Sequence, residues 1–108
     1  KRPLMGQIAS ELADQLIVTS DNPRFEEPSE IAEQIVGGIK IKAGRSKVIL
    51  DRAEAIHSAI NRAESGDSIL IAGKGHESYQ IIGSERQPFD DLEVAKEALM
   101  VRVKAPLS

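Results

Sequence analysis

Leu16-Ile17-Val18-Thr19-Ser20-Asp21-Asn22-Pro23-Arg24 is the stretch on which the fold turns. Its first four residues form a short, unbroken apolar and β-branched run. That is the pattern of a strand covered on both faces in a parallel sheet, not the in-out alternation of a half-exposed one. The run stops in Ser-Asp-Asn-Pro, residues that favour a turn. Parallel strands need crossover connections, usually helical, and both flanks supply them. Upstream, Pro3 suits a first helical position, and Leu4, Ile8 and Leu12 with Met5, Ala9 and Ala13 recur at helical spacing, predicting a helix from about Pro3 to Asp14. Downstream, Pro28 opens a second helix with Ile31, Ile35 and Ile39 on one side and Ala32 and Val36 beside them, ending at Gly37-Gly38.

The pattern then repeats. Val48-Ile49-Leu50 reads as a second strand, and Asp51 with Glu54 has the spacing of a capping box for a helix whose Ile56, Ala59, Ile60 and Ala63 face the core. Ser68-Ile69-Leu70-Ile71-Ala72 reads as a third strand running into Gly73-Lys74-Gly75-His76-Glu77. Tyr79 to Ile82 and Glu85 to Phe89 form a predicted hairpin around Gly83-Ser84. Asp90 and Glu93 cap a last helix with Leu92, Ala95 and Leu99 as its apolar line. This order predicts an α/β fold: a Rossmann-like open, mostly parallel sheet flanked by helices, with a hairpin near the C-terminus. Open sheets of this kind ordinarily begin on a strand, so a chain that opens on a helix predicts that the first strand is missing from it.

Length and composition agree with one soluble globular domain over residues 1–108, with 41% hydrophobic and 29% charged residues. One Tyr, two Phe and no Trp leave few stacking platforms for single-stranded nucleic acid. A net charge of −3, with its basic residues scattered, leaves no footprint for a phosphate backbone. The absence of cysteine excludes disulfides and thiolate chemistry. No apolar run approaches the roughly 18 residues of a membrane span, and the start Lys-Arg-Pro-Leu-Met-Gly has no signal-peptide character. Neither nucleic acid nor a membrane is expected as a partner.

Two loops hold the candidate chemistry, because each follows the carboxyl end of a predicted strand, where open α/β sheets bind ligands. Loop 20–27 gathers Asp21, Asn22, Arg24, Glu26 and Glu27 around Pro23, a mixture of donors and acceptors suited to a ligand with both amine and carboxylate groups. The same residues also make an ordinary turn. Loop 73–79 packs Gly73, Lys74, Gly75, His76 and Glu77 together. It lacks the Gly-Lys-Ser/Thr ending of a phosphate loop, and Ser78 stands where a dinucleotide fingerprint needs its third glycine. His57 and His76 have no partner at a metal-ligand spacing, so no metal site is expected. His57 reads as a boundary residue, and His76 either orients its loop or acts directly. Of Asp90-Asp91, the first reads as a helix cap and the second as solvated. Glu26-Glu27 before Pro28 equally suit a helix N-terminus. No Gly-x-Ser-x-Gly elbow supports a hydrolase.

Four ordered motifs carry a resemblance. Lys1-Arg2-Pro3-Leu4-Met5-Gly6, Thr19-Ser20-Asp21-Asn22-Pro23-Arg24 with Glu26 and Pro28, Asp51-Arg52-Ala53-Glu54-Ala55-Ile56, and Ala72-Gly73-Lys74-Gly75-His76-Glu77 with Tyr79-Gln80 span nearly the whole chain. Together they resemble the C-terminal domain of the UDP-N-acetylmuramoyl-tripeptide synthetases of the Mur ligase family. The resemblance implies a cytoplasmic, monomeric ATP- and Mg²⁺-dependent amide ligase of peptidoglycan biosynthesis. It would join meso-diaminopimelate to UDP-MurNAc-L-Ala-D-Glu through an acyl phosphate.

Carried over by motif position, Asp21, Asn22, Pro23 and Arg24 form the diamino-acid loop. Asn22 and Arg24 hold one carboxylate end of diaminopimelate, and the Gly73 carbonyl and Glu77 carboxylate receive its distal ammonium. The lysine-adding relatives carry Asn where Arg24 stands, which makes a lysine ligase the nearest alternative; a non-catalytic binding module is the other. In the family, the ATP- and UDP-binding domains precede this one, as does a Gly-Gly-Asp-Arg-Asp stretch before Lys-Arg-Pro. These are expected to be missing here, with no catalytic residue on this chain.

Overall fold

The computed structural model describes residues 2–23, 25–39, 45–74 and 77–104. Helix α1 (Arg2–Leu12) leads into strand β1 (Leu16–Val18), then helix α2 (Pro28–Val36), strand β2 (Ser46–Val48) and helix α3 (Arg52–Arg62). A hairpin follows, β3 (Tyr79–Ile82) and β4 (Glu85–Pro88), and helix α4 (Asp91–Lys104) closes the described part of the chain. β1 and β2 pair in parallel, Leu16 opposite Ser46 and Val18 opposite Val48. β3 and β4 pair antiparallel, Ile82 opposite Glu85. The hairpin thus turns on two residues, with Gly83 at φ 62°, a conformation that a side chain resists. The α/β class, the parallel pair and the late hairpin match the expectation.

The caps explain where the helices start. Asp51 accepts a hydrogen bond from the Glu54 backbone N–H at 3.0 Å, and Asp90 from those of Leu92 at 2.9 Å and Glu93 at 3.4 Å. Pro28 opens α2 with no side-chain cap. α1 and α2 pack closely: a Cβ on Gly6 would meet the Ile35 carbonyl, so only glycine allows this approach. The central apolar cluster joins Ile56 and Ile60 of α3 to Ala98 of α4, with Ile71, Phe89, Val94 and Ala95 packed around it.

Three expectations need correction. The second strand is Ser46–Val48, two residues earlier than Val48–Leu50. The ladder reaches the Ile49 N–H, which donates to the Val18 carbonyl at 2.9 Å. At Leu50 the carbonyl is taken by the Ser20 hydroxyl at 2.6 Å and the Thr19 hydroxyl at 3.4 Å, so side chains replace the ladder there.

Residues 68–72 form no strand. β1 pairs with β2, and a cleft of about 360 Å³ is lined by Leu16–Asn22, Ala72, Gly73 and, from the helices, Met5, Ala9, Ile31 and Ile35. Residues 68–72 have no ladder partner, and Leu70 is 89% exposed.

The last helix buries Ala98 with Val94 and Ala95 half-covered, while Leu92 and Leu99 of the expected line stand exposed. Ala98 is the residue of α4 that joins Ile56 and Ile60 of α3 in the buried cluster. α1 forms as expected; it buries Gly6 and Ser10 and leaves Leu4, Met5, Ile8 and Leu12 exposed, with Gly6 set against Ile35 of α2.

Candidate functional site

The two candidate loops meet. Lys74, on the second, reaches the first: its Nζ lies 2.8 Å from Asp21 Oδ1, donates to Asn22 Oδ1 at 3.3 Å, and donates to the Tyr79 carbonyl at 2.6 Å. Its side chain is wholly buried, and it sits 5.8 Å from the Phe89 ring centroid. A buried ammonium is tolerable only when paired and hydrogen-bonded, and the four contacts meet that condition. Gln80 adds a second tie, donating to the Asp21 carbonyl at 2.7 Å and to the Ser20 hydroxyl at 3.4 Å. The Ile81 N–H donates to Asn22 Oδ1 at 2.9 Å. The hairpin's first strand therefore acts as a scaffold for loop 20–23.

Arg52 is the other clamp. Its Nε and Nη2 donate to both carboxylate oxygens of Asp91, at 2.8 and 2.7 Å. Nη1 donates to the Ser20 carbonyl at 3.2 Å and Nη2 also to the Ala72 carbonyl at 3.1 Å. One guanidinium, 3% exposed, thus joins the start of each loop to the first turn of α4. Asp91, read from the sequence as solvated, is corrected here: it is 13% exposed and paired bidentately.

The site residues expected from the sequence distribute as follows. Asp21 and Asn22 are half-buried and Pro23 is buried. Gly73 adopts φ 116°, which only glycine takes readily, and its open side faces the Asp21 carboxylate. Glu77 is half-buried, accepts from the Tyr79 hydroxyl at 3.3 Å, and donates its backbone N–H to the Lys74 carbonyl at 3.1 Å. Arg24 and His76 lie outside the described residues. Asp21, Asn22, Gly73 and Lys74 are therefore brought together, with Glu77 three residues along the same loop.

Glu26 leaves this group. It is held by Arg2 of α1 through two hydrogen bonds of 2.9 Å, and Arg2 also donates to Gln34 at 2.9 Å. Hydrogen bonding from Arg2 holds the Glu26 carboxyl below its ordinary range. Any stability from this lowered pKa is present above the unfolded value and lost as pH falls through the folded one. Both partners are solvent-exposed, so the pair orients α1 more than it stabilises the fold.

Lys74 and Arg52 are the residues that sequence reasoning missed as organisers. Arg52 carried a signal: a cation in the first turn of a helix opposes the dipole, so it needs another reason to be there. Lys74, between two loop glycines, carried none. Among the described residues no group of three or more His, Cys, Asp or Glu gathers to hold a metal, and no helix is long and apolar enough to cross a membrane.

A parallel pair flanked by helices, with two polar loops tied together beyond the end of β1, defines an α/β domain. Comparison with known proteins narrows this. The pattern of the family described as Mur ligase, glutamate ligase domain matches residues 1–75, and the chain belongs to that family.

A UDP-N-acetylmuramoyl-L-alanyl-D-glutamate--2,6-diaminopimelate ligase from Synechocystis sp. is 57% identical over 102 residues, covering 94% of this chain and 20% of that protein. The protein of the same name from Bacillus cereus is 52% identical over 103 residues, covering 95% of this chain and 21% of its own length. A solved structure of a ligase with that name superposes with a TM-score of 0.91 at 43% identity, over 97% of this chain and 22% of the other. The chain thus spans about a fifth of the length of the relatives it matches.

Proposed function

We propose that residues 1–108 are the amino-acid-binding domain of a cytoplasmic, ATP-dependent amide ligase. That enzyme adds meso-diaminopimelate to UDP-MurNAc-L-Ala-D-Glu in peptidoglycan biosynthesis. The observation that carries this reading is that Lys74 ties the Asp21-Asn22 loop to the Gly73–Glu77 loop, in a chain 57% identical to a protein named for that reaction. Asn22 and Arg24 are assigned to one carboxylate end of diaminopimelate, the Gly73 carbonyl and Glu77 carboxylate to its distal ammonium, and Asp21 and Pro23 to the shape of the loop. The chemistry agrees: a guanidinium fork suits a carboxylate, and a carboxylate suits an ammonium. ATP and Mg²⁺ supply the activation in the whole enzyme. The residues here hold and orient the diamino acid.

The test uses the whole protein that contains this chain, with ATP, Mg²⁺, UDP-MurNAc-L-Ala-D-Glu and either diaminopimelate or lysine, reading phosphate release and amide product. Turnover with diaminopimelate and little with lysine is expected. Equal use of both amino acids, or of neither, rejects the reading. The 108-residue chain alone should be inert, because phosphoryl transfer depends on groups placed around the phosphates, and none is assigned to this chain.

Glu77 makes a separate prediction. An ammonium is common to diaminopimelate and lysine, so Glu77→Gln should raise KM for both by about 10- to 100-fold, the cost of weakening a hydrogen bond to a charged group. The ratio of kcat/KM between the two amino acids should stay unchanged. A ratio shifted by tenfold or more would make Glu77 a discriminator instead.

A further inference from the structure

Asn22 is asymmetric in a way that its place in a binding loop does not explain. Its Oδ1 accepts from the Lys74 ammonium at 3.3 Å and from the Ile81 backbone N–H at 2.9 Å. Both partners are donors with no accepting capacity toward a side-chain amide, so turning the amide over would set its NH₂ against an ammonium and an N–H. The oxygen is therefore held inward, and the only polar group that Asn22 can offer a ligand is its Nδ2 amide, a donor.

Lys74 in turn has nowhere else to go. It is wholly buried and committed to Asp21, Asn22 and the Tyr79 carbonyl. Asp21 Oδ1, close to it but aligned with no hydrogen-bond donor, leaves the Coulombic pair as that atom's satisfaction.

We propose that Lys74 is a positioning residue: with the Ile81 N–H it locks the polarity of Asn22, so that the loop presents an amide donor to an anionic group of the ligand. This rests on the functional reading above and adds to it which atom of Asn22 reads the carboxylate, and what fixes that choice. Lys74 acts through Asn22 without touching the ligand. A loop selecting an ammonium would need the opposite face of the amide, which the lock withholds.

The experiment is a double-mutant cycle in the whole protein with Lys74→Met, Asn22→Ala and the double variant. Two quantities are read: the midpoint of thermal unfolding, and KM for diaminopimelate beside KM for ATP. Lys74→Met should raise KM for diaminopimelate by about tenfold or more, the loss expected when a donor to a charged acceptor is no longer held in place. KM for ATP should stay within about twofold. In the Asn22→Ala background the same change should raise KM for diaminopimelate no further, because the residue it acts through is gone. A merely structural lysine would shift both KM values together and by the same factor in both backgrounds, and that result overturns the proposal.

Asn22→Asp covers the case in which Lys74→Met does not fold. It keeps an inward oxygen for Lys74 and Ile81 but turns the outward donor into an anionic acceptor. The fold should survive, and KM for diaminopimelate should rise about 100-fold or more. An unchanged KM overturns the proposal. The unfolding data separate the two readings. Coupled shifts for Lys74 and Asn22 in a protein that uses no amino acid would leave the lock standing and sink the assigned ligand, whereas additive shifts would sink the lock itself.

Discussion

Arg52→Met is expected to destabilise the domain by about 3–5 kcal/mol, the range for breaking a buried ion pair by removing one partner. That is a large fraction of the roughly 5–15 kcal/mol by which a domain of this kind is stable. The substitution leaves the Asp91 carboxylate 13% exposed and without its cation, and it strands the Ser20 and Ala72 carbonyls that the same guanidinium satisfies. Asp91→Leu should cost comparably from the other side. The double variant, Arg52→Met with Asp91→Leu, should recover part of the loss, because two apolar side chains replace the pair without leaving a bare charge. Urea denaturation midpoints of the three variants make the comparison. A loss below about 1 kcal/mol for Arg52→Met, in the range of an exposed pair, would show that the clamp carries no weight.

This clamp also shows where reading the sequence stops. Helix starts at Pro28, Asp51 and Asp90 and the Gly83 turn rest on interactions within a few residues, and each appears where the local pattern places it. Arg52 with Asp91, and Lys74 with Asn22, join residues 39 and 52 positions apart, and no local period encodes them. An acid in the first turn of a helix is explained well enough by the dipole, so Asp91 gave no hint of a partner.

The last helix misled for another reason: Leu92, Val94, Ala95, Ala98, Leu99, Met100, Val101 and Val103 are apolar on more than one side, and packing, not periodicity, selects the Val94–Ala98 face. Ser68–Ala72 has the composition of a buried strand and forms none, because a strand exists only by its ladder and no partner strand pairs with it. The candidate site was legible as two polar loops, although only the first follows a strand. The buried lysine that joins them was not.

The largest expected effect on function belongs to Arg24→Asn in the whole enzyme. Diaminopimelate carries a carboxylate on its distal carbon that lysine lacks, so discrimination needs a cation to meet it. Arg2, Arg52 and Lys74 are already paired with Glu26, Asp91 and Asp21. Arg24, one residue beyond Pro23 in the same loop, is the cation the functional reading assigns.

With lysine bound, the Arg24 guanidinium would lose its counter-charge, and removing one partner of a buried pair costs roughly 3–5 kcal/mol. At about 1.4 kcal/mol for each factor of ten, the preference for diaminopimelate should exceed a hundredfold. Arg24→Asn should therefore lower kcat/KM for diaminopimelate by about that factor and collapse the ratio between the two amino acids. Lysine need not become a good substrate, because removing a misfit does not build a complementary pocket. The measurement is kcat/KM for both amino acids in wild type and variant. An unchanged ratio would move the discrimination away from this loop, leaving the locked Asn22 to read a carboxylate common to both.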